Sequence, residues 1–205
     1  EGLVKRVIGG HWDRAAKLGE MALNNQIEAY NLPQGVISHM YRDIAAHKLG
    51  TLTHVGLYTF VDPRNGGGKL NTRTTEDLVK LVQIEGEERL LDKSFPIQVC
   101  LLRASFCDEY GNCTVHHEIG PIDVTAQAQA AKNSGGKVIV QVERVVQGGS
   151  LDPKLVKIPG IYVDAVVIGT PEDNMQTLGL PYDGAVTGEY RIPVDAIAPI
   201  PLDAK

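Results

Sequence analysis

The sequence predicts an α/β fold: an open, mostly parallel sheet with flanking helices, followed by a proline-rich extended C-terminal segment. Three observations carry that expectation. Short β-branched runs alternate with helix-like stretches up to about residue 147, and the connections between them are short. Seven prolines (Pro153, Pro159, Pro171, Pro181, Pro193, Pro199 and Pro201) fall after residue 150. A strand–helix–strand rhythm joins parallel neighbours, because parallel strands need a crossover and helices supply it. The expected division is an α/β domain over 1–147 and a proline-rich segment over 148–205 with one further strand embedded in it.

The first strand is expected at Val4–Ile8. Arg14–Asn24 follows as a helix, with Ala15, Leu18 and Ala22 at helical spacing and Asp13 as its N-cap. Ile27–Leu32 is the second strand. Gln34–His47 is the next helix, since Ile37, Met40, Tyr41 and Ile44 make one apolar face. Leu52–Leu57 is the third strand. The Glu85-Gly86 dipeptide favours a hairpin within Leu78–Leu91. Ile97–Ser105 and Lys137–Val146 are strands on either side of Pro121–Asn133. That stretch opens on Pro, closes on Asn133-Ser134-Gly135-Gly136, and is too rich in Ala and Gln for a strand. Tyr162–Ile168 is the strand expected among the prolines.

Composition narrows the function classes. A chain of 205 residues with 43% hydrophobic and 22% charged residues buries enough surface to fold without staples. A net charge of −5 argues against a nucleic-acid binder. No apolar run exceeds about four residues, against the ~20 a membrane span needs. Three cysteines make no disulfide framework and point to a reducing cytoplasm. The opening Glu1-Gly2-Leu3-Val4-Lys5-Arg6 carries no initiator Met and no signal-peptide core, as in a chain entered mid-sequence.

Ligands of open parallel sheets bind outside the carboxyl ends of the strands, so the loops after strands hold the candidate chemistry. Pro33-Gln34-Gly35 is one such loop and Val55–Asn71 another. In the latter, Gly66-Gly67-Gly68 between Arg64 and Lys69 reads as a backbone cradle for an anion or as a flexible surface loop. It is not a nucleotide P-loop, because Pro63 and Leu70 stand where that motif needs Gly and a hydroxyl. Cys100, Cys107, Cys113, His116 and His117 lack metal-ligand pair spacing and read as buried thiols and loop histidines. Nothing marks Cys107 or Cys113 as a thiolate nucleophile. Glu85-Gly86-Glu87-Glu88 reads as a solvated hairpin tip. Glu143 and Arg144 end a strand at its carboxyl side, where a functional role fits. His39 and His47 sit off the apolar helix face, and Trp12 is expected to pack over the sheet edge.

Several segments, taken in order, resemble one family. They are Lys5–Trp12 (KRVIGGHW), Ile27–Ile37 (IEAYNLPQGVI), Gly50–Leu57 (GTLTHVGL) and Phe60–Lys69 (FVDPRNGGGK), then Asp108–Asn112 (DEYGN) and Ala131–Arg144 (AKNSGGKVIVQVER). From about Val4 to Ile168 the chain is similar to the amino-terminal half of a family I coenzyme A transferase of the acetate/propionate type. That resemblance implies a NagB/RpiA/CoA-transferase-like fold in which two similar halves pack together, and a ping-pong transfer of CoA from an acyl-CoA to a free carboxylate. A glutamate attacks the thioester, an acyl–glutamyl anhydride forms, and the returning CoA thiolate makes a glutamyl-CoA thioester. No catalytic residue is expected in this chain. The family's nucleophile stands in a Glu-x-Gly context followed by a Gly-Gly-x-Pro turn in the other half, and Glu118-Ile119-Gly120-Pro121-Ile122 lacks that turn. Glu118 is therefore rejected.

The resemblance implies a substrate-side role for Gln34 and Gly35, with Gln34 contacting the substrate carboxylate or acyl oxygen. Gly56, Tyr58 and Thr59 are expected to line the acyl/pantetheine channel, with Tyr58 where the family usually carries a second glycine. The implied partners are acyl-CoA, short-chain carboxylates and the complementary half or subunit, in a homo-oligomer without nucleic acid or membrane. CoA is a substrate, and no cofactor or metal is expected. A natural α subunit, or a non-catalytic acyl-CoA or carboxylate binding module, stands as the alternative.

Overall fold

The computed structural model describes residues 2–177 and 179–197. Glu1, Pro199, Pro201 and Lys205, on which part of the sequence reading rests, lie outside the described residues. The fold is α/β with parallel sheets, as expected. The chain divides into two compact units: residues up to Gln98 with Gln129–Gly136, and Val99–Ala128 with the chain from Lys137 onward. The expected 147/148 boundary falls inside the second unit.

In the first unit, β1 (Arg6–Gly9) pairs in parallel with β2 (Glu28–Asn31) across the helix α1 (Ala16–Leu23). Asp13 does not cap α1; the N-cap position falls to Ala15, which makes no side-chain cap bond. The helix α2 (Gln34–Ala45) opens on Pro33, whose carbonyl accepts the N–H groups of Val36 (2.9 Å) and Ile37 (3.1 Å). Its Ile37, Met40 and Ile44 join Leu32, Val61, Val79, Leu90 and Ala130 in one core, with half-buried Tyr41 at its edge.

The strand β3 (Gly50–Thr53) ends earlier than Leu52–Leu57 suggested and is antiparallel. It pairs with β5 (Glu87–Lys93), which pairs in turn with β4 (Val79–Ile84). The β4–β5 turn is Glu85-Gly86, with φ of 51° and 84°, the signature of a primed hairpin turn. Glycine opens β3 because a Cβ at Gly50 would lie 2.3 Å from the Asp92 carbonyl oxygen.

The second unit contains β6 (Val99–Arg103), β7 (Phe106–Asp108), β8 (Cys113–Thr114), the start of α3 (Val124–Asn133), whose residues from Gln129 onward belong to the first unit, and β9 (Lys137–Val142). After these come β10 (Arg144–Val146), β11 (Val156–Ile158), β12 (Ala165–Ile168) and the short α4 (Gly184–Thr187). One sheet is parallel, in the order β12-β9-β6, and a second is mixed, in the order β10-β7-β8-β11. The predicted Lys137–Val146 strand thus breaks at Glu143, whose N–H donates to the Ser105 carbonyl (2.9 Å). Its two parts pair with β6 and β7, so both ladders change sheet at one kink.

Among its described residues the segment after residue 147 holds two strands, β11 and β12, where one was expected. Buried Asp108 organises the Asp108–Asn112 motif. It accepts the N–H groups of Tyr110 (3.0 Å), Asn112 (2.9 Å) and Gly149 (3.2 Å). No helix among the described residues is long and apolar enough to cross a membrane.

Candidate functional site

Gln34 is the first residue of α2 and stands at the carboxyl ends of the parallel pair β1–β2. Gly10, directly after β1, makes this approach possible. A Cβ on Gly10 would lie 2.6 Å from Gln34 Oε1 and 2.9 Å from its Cα. The Leu32 N–H donates to the Gly9 carbonyl (3.0 Å), which fastens the second strand end to the first. Gln34 is exposed, with its amide next to the last residues of β1.

A groove of about 550 Å³ runs between α2 and β3. Pro33, Gly35, Val36, His39 and Asp43 form one wall, with Gly50–Thr53 and Val55 opposite. The walls are clamped by Asp43, which accepts hydrogen bonds from Lys48 Nζ (2.7 Å) and Thr51 Oγ1 (2.7 Å). Burial pushes the Asp43 carboxyl up, but these two bonds and nearby positive charge outweigh it and hold it below the usual carboxylate range. His39 is exposed on the α2 wall.

Directly after Val55, which lines the groove, the chain turns at Gly56, with φ 99°, where a Cβ would press on Leu90 and Val61 at 3.2 Å. Tyr58 adopts φ 64°, a left-handed conformation that costs a residue with a side chain. Buried Asp62 holds it there by accepting the Tyr58 N–H (2.9 Å). Asp62 also accepts Arg64 Nε (2.9 Å), Arg64 Nη2 (2.7 Å) and the Arg64 N–H (3.0 Å). The Arg64 guanidinium holds the Asp62 carboxyl far below the usual carboxylate range. The Tyr58 hydroxyl donates to Glu88 (3.1 Å), and the Arg64 guanidinium lies 5.0 Å from its ring centroid. Thr59 Oγ1 donates back to the Gly56 carbonyl (2.7 Å).

The glycine loop is neither an anion cradle nor a loose loop. Its N–H groups are consumed internally: Gly66 to the Pro63 carbonyl (3.4 Å), Gly67 to Asp62 (3.0 Å), Gly68 to Phe60 (2.9 Å) and Lys69 to Gly66 (3.3 Å). Its flanking cations are engaged as well, Arg64 by Asp62 and Glu88 and Lys69 by Asp77. The glycines serve close packing: a Cβ on Gly68 would lie 2.9 Å from the Asn31 carbonyl oxygen.

Of the residues singled out in the sequence, Gly35 lines the groove, with Val55 opposite. Gln34 lies beside Gly10, and Gly56, Tyr58 and Thr59 form the turn after Val55, with the Tyr58 phenol directed to Glu88. The Asp43–Thr51 clamp went unread in the sequence; a polar residue facing the groove at i+4 from His39 was its only local signal. Asp92 was missed altogether. It is 1% exposed, neither carboxylate oxygen has a hydrogen-bond partner among the described residues, and burial pushes its carboxyl up to about 6.

In the second unit all three cysteines are buried free thiols, and burial pushes Cys100 up to about 11. Such thiols are poor nucleophiles. His117 Nδ1 lies 3.0 Å from both Glu143 oxygens, and its ring centroid lies 4.4 Å from that of Tyr182 with the planes tilted by 38°. Glu118 accepts from Arg103 Nε (2.9 Å), so its carboxylate is paired. Among the described residues no group of His, Cys, Asp and Glu is arranged to hold a metal ion.

Comparison with known proteins adds the family. The model of the coenzyme A transferase family matches residues 1–169. The chain is 48% identical over 204 residues to the caffeate CoA-transferase of Acetobacterium woodii, covering 98% of this chain and 39% of that protein. It is 40% identical over 205 residues to the acetate CoA-transferase YdiF of Escherichia coli K12, covering 100% of this chain and 38% of that protein. The crystal structure of the acyl-CoA transferase YdiF from E. coli O157:H7, a thioester complex with CoA, superposes with a TM-score of 0.88 at 40% identity. That superposition covers 93% of this chain and 37% of the other. The chain thus spans under two-fifths of the length of the relatives it matches.

Proposed function

The chain belongs to the coenzyme A transferase family, and from that premise we propose that it supplies the amino-terminal half of an enzyme moving CoA between a short-chain acyl-CoA and a free carboxylate. Acetate and propionate are the class of acid. The thioester carbonyl is attacked by a glutamate carboxylate of the complementary half, giving an acyl–glutamyl anhydride and CoA thiolate. The thiolate then attacks the glutamyl carbonyl, releases the first acid as its carboxylate, and leaves a glutamyl-CoA thioester. A second carboxylate reverses these steps and departs as the new acyl-CoA.

This chain's contribution is orientation and oxyanion stabilisation. Gln34, exposed at the strand ends, offers its amide N–H to the acyl oxygen as charge develops there. Gly35 leaves the groove wall open, and the Gly56–Thr59 turn borders the acyl end. CoA is a substrate, and no metal or resident cofactor takes part. The enzyme works in the cytoplasm as a homo-oligomer.

The observation that carries this reading is the coincidence of family and groove: Pro33, Gly35 and Val55 lie inside the matched residues and line one groove between α2 and β3, whose Pro33–Gly35 end follows the parallel strand β2. The test is CoA exchange from propionyl-CoA to acetate. The chain alone should be inactive and should gain activity when mixed with the complementary half. A folded, reassembled complex that transfers nothing counts against it.

A further inference from the structure

His117, in the second unit, sits between two carboxylates that reach it from different parts of the chain. Its Nδ1 faces both oxygens of Glu143, the residue at the kink between β9 and β10. Its Nε2 lies 3.4 Å from Oε1 of Glu189, two residues past α4. The Glu143 side chain is 28% exposed and that of Glu189 46%, so Glu189 is the outer partner.

The proton count of imidazole makes this arrangement conditional. A neutral ring has one N–H and one lone pair, so it donates to one carboxylate and turns its lone pair on the other. Only the imidazolium donates to both. The contact to Glu189 is the longer and the more exposed, so it is the one a neutral ring gives up. The other groups at the ring do not replace it. His116, with its ring centroid 4.3 Å away, is pushed toward its neutral form by burial and by the charge of His117. The Tyr182 hydroxyl is kept neutral, first by its bond to Glu189. Arg144 lies over the Phe106 ring at 4.6 Å, and Glu118 is paired with Arg103.

The chain over 183–190 is a turn bonded within itself. The Glu189 N–H donates to the Gly184 carbonyl (2.8 Å), and the Tyr190 hydroxyl donates to Asp183 (2.7 Å). His117 is where this turn meets the rest of the unit. Gln176 Nε2 donates to the His117 carbonyl (2.7 Å), while Gln176 Oε1 accepts the Asp183 N–H (2.9 Å). The Tyr182 ring lies beside the imidazole. We propose that His117 is a proton-operated latch: as imidazolium it ties Glu189, and with it the turn over 183–190, to Glu143 at the strand kink, and as neutral imidazole it lets that turn go. The proton passes to solvent. The latch is closed from the pH at which the two carboxylates ionise up to that at which His117 loses its proton, and open above it. It is independent of the coenzyme A reading.

Residue-resolved hydrogen exchange of the 205-residue chain is the test, corrected for intrinsic rates and followed across the range in which histidine changes charge, about pH 5 to 8. Imidazole nitrogen shifts of His116 and His117, recorded on the same samples, report which ring holds the proton. The Val186 and Glu189 amides, which bond inside the turn, should lose about two- to fivefold in protection in step with deprotonation of His117. Glu189→Gln offers a carbonyl to an Nε2–H and an amide N–H to a bare Nε2. Its protection should therefore stay flat over the same range.

Unchanged protection of Val186 and Glu189 while His117 titrates overturns the latch. A step that follows His116 instead of His117 overturns it too, as does a step of the same size in Glu189→Gln. If that variant does not fold, the titration of the unmodified chain decides alone.

Discussion

Arg64 wraps Asp62 from two residues away, its Nε 2.9 Å from Oδ1 and its Nη2 2.7 Å from Oδ2. This two-point contact buries a carboxylate beneath a turn whose Tyr58 would otherwise have no reason to sit at positive φ. The turn's shape is thus fixed by charge.

Asp62→Ala strips four donors of their acceptor. Thermal unfolding should show a fall in Tm of roughly 5–10 °C. The sign with pH follows from the depressed carboxyl. The pair's contribution is complete above the ordinary carboxylate range and is lost as pH falls through the lowered folded-state value. The gap between wild type and variant should therefore narrow on acidification; a constant gap would mean that packing, not the ion pair, is what was lost.

Asp92 behaves oppositely. Its folded-state carboxyl is raised to about 6 by burial, so the folded state holds a proton that the unfolded state releases near pH 4. Wild type should lose about 2–3 kcal/mol relative to Asp92→Asn as pH rises from about 4 through about 6. Urea denaturation of both proteins at several pH values checks this. Parallel stability curves would show that Asp92 finds a partner in solution.

Tyr58→Gly removes a left-handed strain worth roughly 1 kcal/mol while losing the bond to Glu88. The two nearly cancel, so stability should stay within about 1 kcal/mol. In the reassembled enzyme the preference among acyl donors should move toward longer chains. An unchanged preference would remove the turn from the acyl site.

Gln34→Ala should lower kcat/KM by ~10–100-fold with an unchanged Tm, since the exposed side chain contributes little to the fold. Equal loss of stability and rate would reduce Gln34 to scaffolding.

Local pattern carried much of this molecule. The Ile37, Met40 and Ile44 stripe predicted α2 because helical periodicity is a property of neighbours in sequence. Glu85-Gly86 predicted its hairpin for the same reason, through two positive φ values. The rule that parallel strand ends gather ligands singles out the Pro33-Gln34-Gly35 loop, and the structure puts Gln34 first in α2 beside Gly10 and Gly35 on the groove wall. Register was not legible. Leu52 looks the same in a parallel or an antiparallel strand, and only the arrival of β5 decides which of its main-chain groups face outward. Nor does Gly66-Gly67-Gly68 reveal that its amides turn inward to Phe60, Asp62 and Pro63. The Asp43–Thr51 bond joins a helix to an edge strand, and nothing in either segment announces the other.

Mass spectrometry of the reassembled complex after incubation with acyl-CoA tests the division of labour most directly. A nucleophile supplied by the complementary half places the CoA thioester adduct on a glutamate of that polypeptide and leaves residues 1–205 unmodified. A CoA adduct on Glu118, Glu143 or any other carboxylate of this chain would contradict it.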